Sequence, residues 1–152
     1  MALQDRAKRM QMEKTILNNY GFLRNGAEWG PNDEYITVSL STNVCPQQVF
    51  KVRLYLKSFP NNCPPMVVVQ PKVLLQRDNK TPIPPGSHHF HTLGKVDGYQ
   101  QICHYRPNLW KAQNTIFMCF LKARFWLEAY MCYRLKGKDM DFYLANMEDA
   151  RE

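Results

Sequence analysis

The spacing of apolar positions changes along the chain, and each change predicts a different element. Over residues 3–20, Leu3, Ala7, Met10 and Leu17 fall near one helical stripe that Ile16 and Tyr20 widen, with charged residues between them. This is an amphipathic opening helix with one face toward a core, and Gly21 is its predicted stop. Residues 22–33 contain Gly26, Gly30 and Pro31 and read as a weak strand followed by a turn, with Trp29 as a core anchor.

Strand character then becomes clear. Residues 35–40 are β-prone, and residues 49–57 set Phe50, Val52, Leu54 and Leu56 on one face against Lys51, Arg53, Tyr55 and Lys57 on the other, as in a half-buried strand. Pro60, Pro64 and Pro65 interrupt the chain before the apolar run of residues 66–70, which predicts a more fully covered strand. Three consecutive strands with short connections predict an antiparallel meander.

Residues 71–109 lose regular periodicity and are rich in Pro and Gly. They read as a long irregular loop, of the kind that carries function. Asn114 or Thr115 then caps a helix running to about Lys136, with Ile116, Phe120, Ala123, Leu127 and Tyr130 on one stripe and Gly137 as its stop. A final helix is predicted over residues 139–147. Helices segregated from a run of strands define an α+β class, and 152 residues suit one domain covering 1–152.

Composition narrows this picture. With 45% hydrophobic and 22% charged residues, wholesale disorder and fibrous or collagen-like chains are excluded. Apolar runs such as residues 66–69 and 116–121 fall far short of the ~18–20 residues of a membrane span. The opening MALQDRAKRM lacks the apolar core of a secretory signal, so a cytoplasmic location is expected. The net charge of +7 is spread singly through Arg6, Lys8, Arg9, Lys51, Arg53, Lys57 and Lys72. It suits an acidic partner, and no nucleic-acid signature accompanies it.

Candidate chemistry centres on the irregular region, which holds all four histidines and Cys103. Cys103 has His104 beside it, Arg106 nearby and Lys95 upstream, and positive neighbours favour the nucleophilic thiolate. The alternative is an inert packing thiol, the reading that suits Cys119 and Cys132 in their apolar helix. Cys45 and Cys63 sit in Pro-flanked turns without a neighbouring base. His88, His89 and His91 with Cys103 and His104 raise zinc, but their spacing lacks the two separated pairs of a structural site. A Cys-His hydrolase is a third possibility. Phosphate-loop, paired-carboxylate and serine-elbow motifs are missing, and no metal or cofactor is expected.

Taken in order, Phe50-Lys-Val-Arg-Leu-Tyr-Leu56, Phe59-Pro60, Pro64-Pro65 and Met66-Val-Val-Val69 resemble the strand, turn and third strand of the ubiquitin-conjugating-enzyme family. His91, Gly98, Ile102-Cys103 and Trp110 resemble its active-site signature. The departures are specific. His91 is followed by Thr92 and Leu93 where the family carries His-Pro-Asn, the spacing to Cys103 is about two residues longer, and His104 stands where leucine is common. These features, with Trp126-Leu-Glu-Ala-Tyr130 and Gly137-Lys138 before Tyr143-Leu144, are more similar to prokaryotic relatives. Among those, the chain resembles the stand-alone conjugating-enzyme component of bacterial anti-phage operons that signal with cyclic oligonucleotides (CBASS).

The resemblance implies a ubiquitin-conjugating-enzyme-like fold: an N-terminal helix, an antiparallel meander sheet of three to four strands, a long active-site loop and C-terminal helices. It implies a cysteine-dependent transferase that forms a thioester between Cys103 and the C-terminus of a partner. That partner is a cGAS-like nucleotidyltransferase or a ubiquitin-like protein. Supporting roles fall to His91, His104 and Asn108, Asn108 being the nearest asparagine for an oxyanion. An activating enzyme would dock on Arg6, Lys8 and Arg9 of the opening helix, where charge reversal is expected to leave stability unchanged. A non-catalytic adaptor that only holds a partner or its tail is the competing class.

Overall fold

The computed structural model describes residues 3–19 and 26–151. Helix α1 (Leu3–Asn19) is followed by strands β1 (Glu28–Trp29), β2 (Tyr35–Ser41), β3 (Val49–Tyr55), β4 (Met66–Gln70), β5 (Thr92–Val96) and β6 (Tyr99–Ile102), then by helices α2 (Ile116–Lys136) and α3 (Met140–Arg151). The strands form one antiparallel sheet in the order β1-β2-β3-β4-β6-β5. The coarse α+β class and the central meander therefore agree with the sequence pattern. Tyr20, the predicted stop Gly21 and residues 22–25 of the stretch read as a weak strand and turn lie outside the described residues.

Alternation sets the sheet. Phe50, Val52 and Leu54 of β3 are buried while Lys51 is exposed, and Met66, Val67 and Val68 of β4 are all buried, as their continuous apolar run requires. At the β1 end the chain turns sharply, because Gly30 donates its N–H to the Tyr35 carbonyl at 2.8 Å. The Tyr35 ring passes so close that a Cβ at Gly30 would sit 2.4 Å from it. Trp29 is half-buried and packs against the core.

Helix α2 lays Ile116, Phe120, Ala123, Leu127 and Tyr130 into that core. Its start is doubly capped. The Thr115 hydroxyl accepts from the Met118 N–H at 3.1 Å, and the buried carboxylate of Glu13, on α1, accepts from the Ile116 N–H at 2.8 Å. Gly137 ends the helix at φ 84°, a conformation that needs glycine.

Two expectations are corrected. Residues 71–109 are not irregular throughout, because β5 and β6 form a hairpin inside them and bring the sheet to six strands rather than three to four. The signal was Asp97-Gly98: both residues have positive φ, 53° and 80°, and a two-residue turn of that kind matches strand twist. The cations of α1 are not a free docking face. Arg6 donates to the carbonyls of Leu56 and Phe59, while Arg9 pairs with Glu13 and donates to the carbonyls of Ala112 and Asn114. Of the three, only Lys8 is exposed.

Candidate active site

Cys103 is the first residue beyond β6, where the strand leaves the sheet. Its backbone N–H donates to the His91 carbonyl at 2.9 Å. That same carbonyl accepts from Trp126 Nε1 at 3.1 Å, which ties the cysteine's position to α2 through one oxygen. His91 holds this posture with φ at 53°. Its imidazole is used elsewhere: Nε2 meets the Asp141 carboxylate on α3.

Beside Cys103 opens a cleft of about 270 Å³. One wall comes from the β3–β4 connection, through Asn61, Asn62, Cys63 and Pro64. The other comes from Gln101, His104, Tyr105 and Trp110, with Leu93 of β5 at its edge. Trp110 is held by a hydrogen bond from Nε1 to the Pro60 carbonyl at 2.8 Å and by edge contacts with Phe59 and Tyr105. Arg9 lies over the Phe59 ring, so α1 supports the floor from behind.

The electrostatics overturn the expectation of a ready thiolate. Burial raises the Cys103 thiol above its ordinary value of 9.0, and the Arg106 charge offsets this only in part. The sulfur is 3.6 Å from the Tyr105 carbonyl, to which an S–H donates and a thiolate does not. Cys63 is raised further, to about 11, by burial and by the neighbouring Cys103. His104 does not activate the thiol. Burial lowers its pKa to about 4 despite a hydrogen bond to the Ile102 backbone, and Lys122 lowers it further, so the ring is neutral at pH 7. Its Nε2 is buried without a hydrogen-bond partner.

The remaining expected site residues scatter. Asn108 stands exposed on the short turn Pro107–Leu109, with no hydrogen bond joining it to Cys103. His88 and His89 are exposed, and His89 Nε2 approaches Asp139 at 3.7 Å. The zinc reading fails on geometry: among the described residues, no group of three or more His, Cys, Asp or Glu side chains gathers to hold an ion. Cys119 and Cys132 are buried in α2 as packing thiols. The sequence did not single out Asn61, Asn62 and Cys63 as the wall that faces Trp110. The Pro-flanked turn was visible, but its place against β6 follows only from the pairing of β4 with β6, Met66 opposite Ile102.

No family model, curated protein or solved structure matches the chain. Among the described residues no helix is long and apolar enough to cross a membrane.

Proposed function

We propose that this chain is a ubiquitin-conjugating-enzyme-like transferase in which Cys103 carries the C-terminal acyl group of a partner protein. On this reading the thiol sulfur attacks the carbonyl carbon of an already activated carboxyl group. The activating group leaves with its bonding electrons, and the thiol proton passes to solvent. An acceptor amine then attacks the thioester carbonyl, and Cys103 departs as the leaving group and regains a proton. The proposed cargo is the tail of a cGAS-like nucleotidyltransferase in bacterial anti-phage defence, or of a ubiquitin-like protein, loaded by an activating enzyme in the cytoplasm.

The observation that carries the reading is a half-buried Cys103, its thiol raised by burial, set between the cleft-lining Gln101 and His104 with no imidazole placed to activate it. A cysteine hydrolase needs a standing thiolate and an oriented base to attack an unactivated amide. An activated donor makes the smaller demand on such a thiol: a raised pKa cuts the thiolate fraction by more than the added nucleophilicity restores, and a reactive acyl group tolerates that loss where an amide does not. The backbone at Cys103 is fixed by the His91 carbonyl, which limits the thiol's wandering before attack.

The test is intact-protein mass spectrometry of the chain isolated with candidate partners, wild type beside Cys103→Ser and Cys103→Ala. The expected result is a partner-sized adduct that thiol or hydroxylamine removes from the wild type. It survives thiol on the serine variant and is missing from the alanine variant, whose fold is intact. An adduct on Cys103→Ala sinks the assignment. A second reading, a non-catalytic adaptor, is favoured by the exposed position of Asn108, which leaves the oxyanion without that donor. Failure of any adduct to form with an activated partner supplied would select it.

A further inference from the structure

Two adjacent glutamines on β6 are used differently. Gln100 is buried, and its Nε2 donates to the carbonyls of Leu93 at 2.6 Å and of Gln101 at 2.8 Å, which ties β5 to β6. Gln101 is half-buried and lines the cleft, and among the described residues its carboxamide makes no hydrogen bond. Alternation puts it on the same face as Cys103. Gln100 and Ile102 are buried while Tyr99 and Gln101 are not, and the bond from the Cys103 N–H to the His91 carbonyl carries the β5–β6 ladder one residue past Ile102.

Side chains two apart on one strand face spring from Cα atoms about 6.5 Å apart. A carbonyl carbon about 3–3.5 Å from the sulfur, poised for attack, therefore leaves its oxygen within the span of a glutamine side chain. As the sulfur attacks, the π electron pair of the carbonyl moves onto that oxygen, and a donor about 2.7–3.1 Å away meets a full charge rather than a dipole. Other cleft groups suit this less well. Trp110 Nε1 already donates to the Pro60 carbonyl. The His104 ring is neutral and hydrogen-bonded to the Ile102 backbone, with its Nε2 buried. Asn61 and Asn62 are exposed, on the connection before β4. The Gln101 backbone is instead held on both sides, opposite Val67 of β4 and by the Gln100 side chain on its carbonyl, so little reorganisation is needed when charge develops.

Building on the thioester reading, we infer that Gln101 is a catalytic residue: its side-chain N–H donates to the oxyanion that forms when Cys103 attacks the acyl carbonyl, and again when the acceptor amine attacks the thioester. Each oxyanion collapses by returning its electron pair to the carbonyl and expelling the leaving group, and no proton passes through the amide. The oxyanion thus has a donor on β6 itself, although Asn108 stands exposed.

The experiment follows acyl transfer to the full chain from a tetrapeptide of alanine and glycine that bears a C-terminal alkyl thioester, with peptide mass mapping to locate the adduct on Cys103. Gln101→Met and Gln101→Leu keep the bulk of the side chain and remove the donor. Each should slow acylation of Cys103 about a hundredfold. Alkylation of the same sulfur by iodoacetamide should stay within about twofold of wild type, because displacement at a saturated carbon builds no oxyanion for the amide to stabilise. That second rate also reports whether the variants keep the site folded, and circular dichroism reports the same for the whole chain. Acylation at the wild-type rate in both variants overturns the role of Gln101 and leaves the thioester reading standing. Acylation and alkylation falling together would overturn it as well, since Gln101 would then only shape the site. A wild-type Cys103 that alkylates but never takes the acyl group sinks the thioester reading itself, and the role of Gln101 with it.

Discussion

At Cys103, two opposed effects meet on one sulfur. Burial disfavours the thiolate and Arg106 favours it, and burial wins. Alkylation of Cys103 by iodoacetamide, followed by peptide mass mapping, should therefore climb with pH and reach half its limit above 9. Arg106→Gln removes the cation that favours the thiolate, so the midpoint moves up and the rate at pH 8 falls. A midpoint near 7 would contradict the protonated resting state. His104 makes a separate prediction. Its folded pKa of about 4 lies below the ordinary 6.5, so the unfolded chain binds a proton that the folded chain refuses. Stability from this group is complete above pH 6.5 and drains away as pH falls toward 4, a loss of up to about 3 kcal/mol by linkage. His104→Leu should flatten that limb of a urea-denaturation series from pH 7.5 to 4. An unaltered acid limb would show that the ring is not held neutral.

Between elements, the junction of α1 with α2 turns on one carboxylate. Glu13 is fully buried, accepts from the first turn of α2 and pairs with Arg9 at 2.8 Å, so removing it leaves the half-buried Arg9 guanidinium without its counter-ion and a helix-terminal N–H without its acceptor. Glu13→Ala should cost about 3–5 kcal/mol in chemical denaturation. Arg9→Glu should also destabilise strongly, whereas Lys8→Glu on the exposed face should stay within about 0.5 kcal/mol. Comparable effects at Lys8 and Arg9 would contradict this division. The same junction shows what the sequence can and cannot reveal. The Met10 and Leu17 stripe announced the helix, but nothing in its spacing announced that Glu13 belongs to the buried side, because the Ile116 N–H that it caps lies about a hundred positions away in sequence. Helix α2 was legible from Thr115 to Gly137, since its caps are local chemistry. So were β2, β3 and β4, whose alternation and burial are local too. The β5–β6 hairpin was hidden by the surrounding prolines and glycines, although Asp97-Gly98 carried its signature. At the site, Cys103 and its cationic neighbour Arg106 could be read directly. The cleft could not, since its walls meet only through the register of β4 with β6.

Across the whole molecule, the candidate active site is suspended between layers. The sheet delivers Cys103 at the end of β6, and the connection after β4 supplies a cleft wall. Helix α2 enters through Trp126, whose indole shares the His91 carbonyl with the Cys103 N–H, and α3 enters through Asp141 on the His91 ring. His91 is thus the point where sheet, α2 and α3 converge, and it acts on Cys103 through its backbone rather than its imidazole. This assigns different consequences to two substitutions. Trp126→Phe keeps most of the ring in the core but removes the N–H that holds the carbonyl. The Cys103 amide should then exchange with solvent roughly fivefold faster, the equivalent of about 1 kcal/mol of local protection. Asp141→Asn loosens the His91 ring at the surface and should move the same amide much less, because the carbonyl keeps both of its donors. Hydrogen exchange read at Cys103 in the two variants checks the ordering. If Asp141→Asn accelerates exchange more than Trp126→Phe does, the cysteine is governed from α3 through the imidazole, and the histidine side chain regains the role that its hydrogen bond to Asp141 otherwise removes.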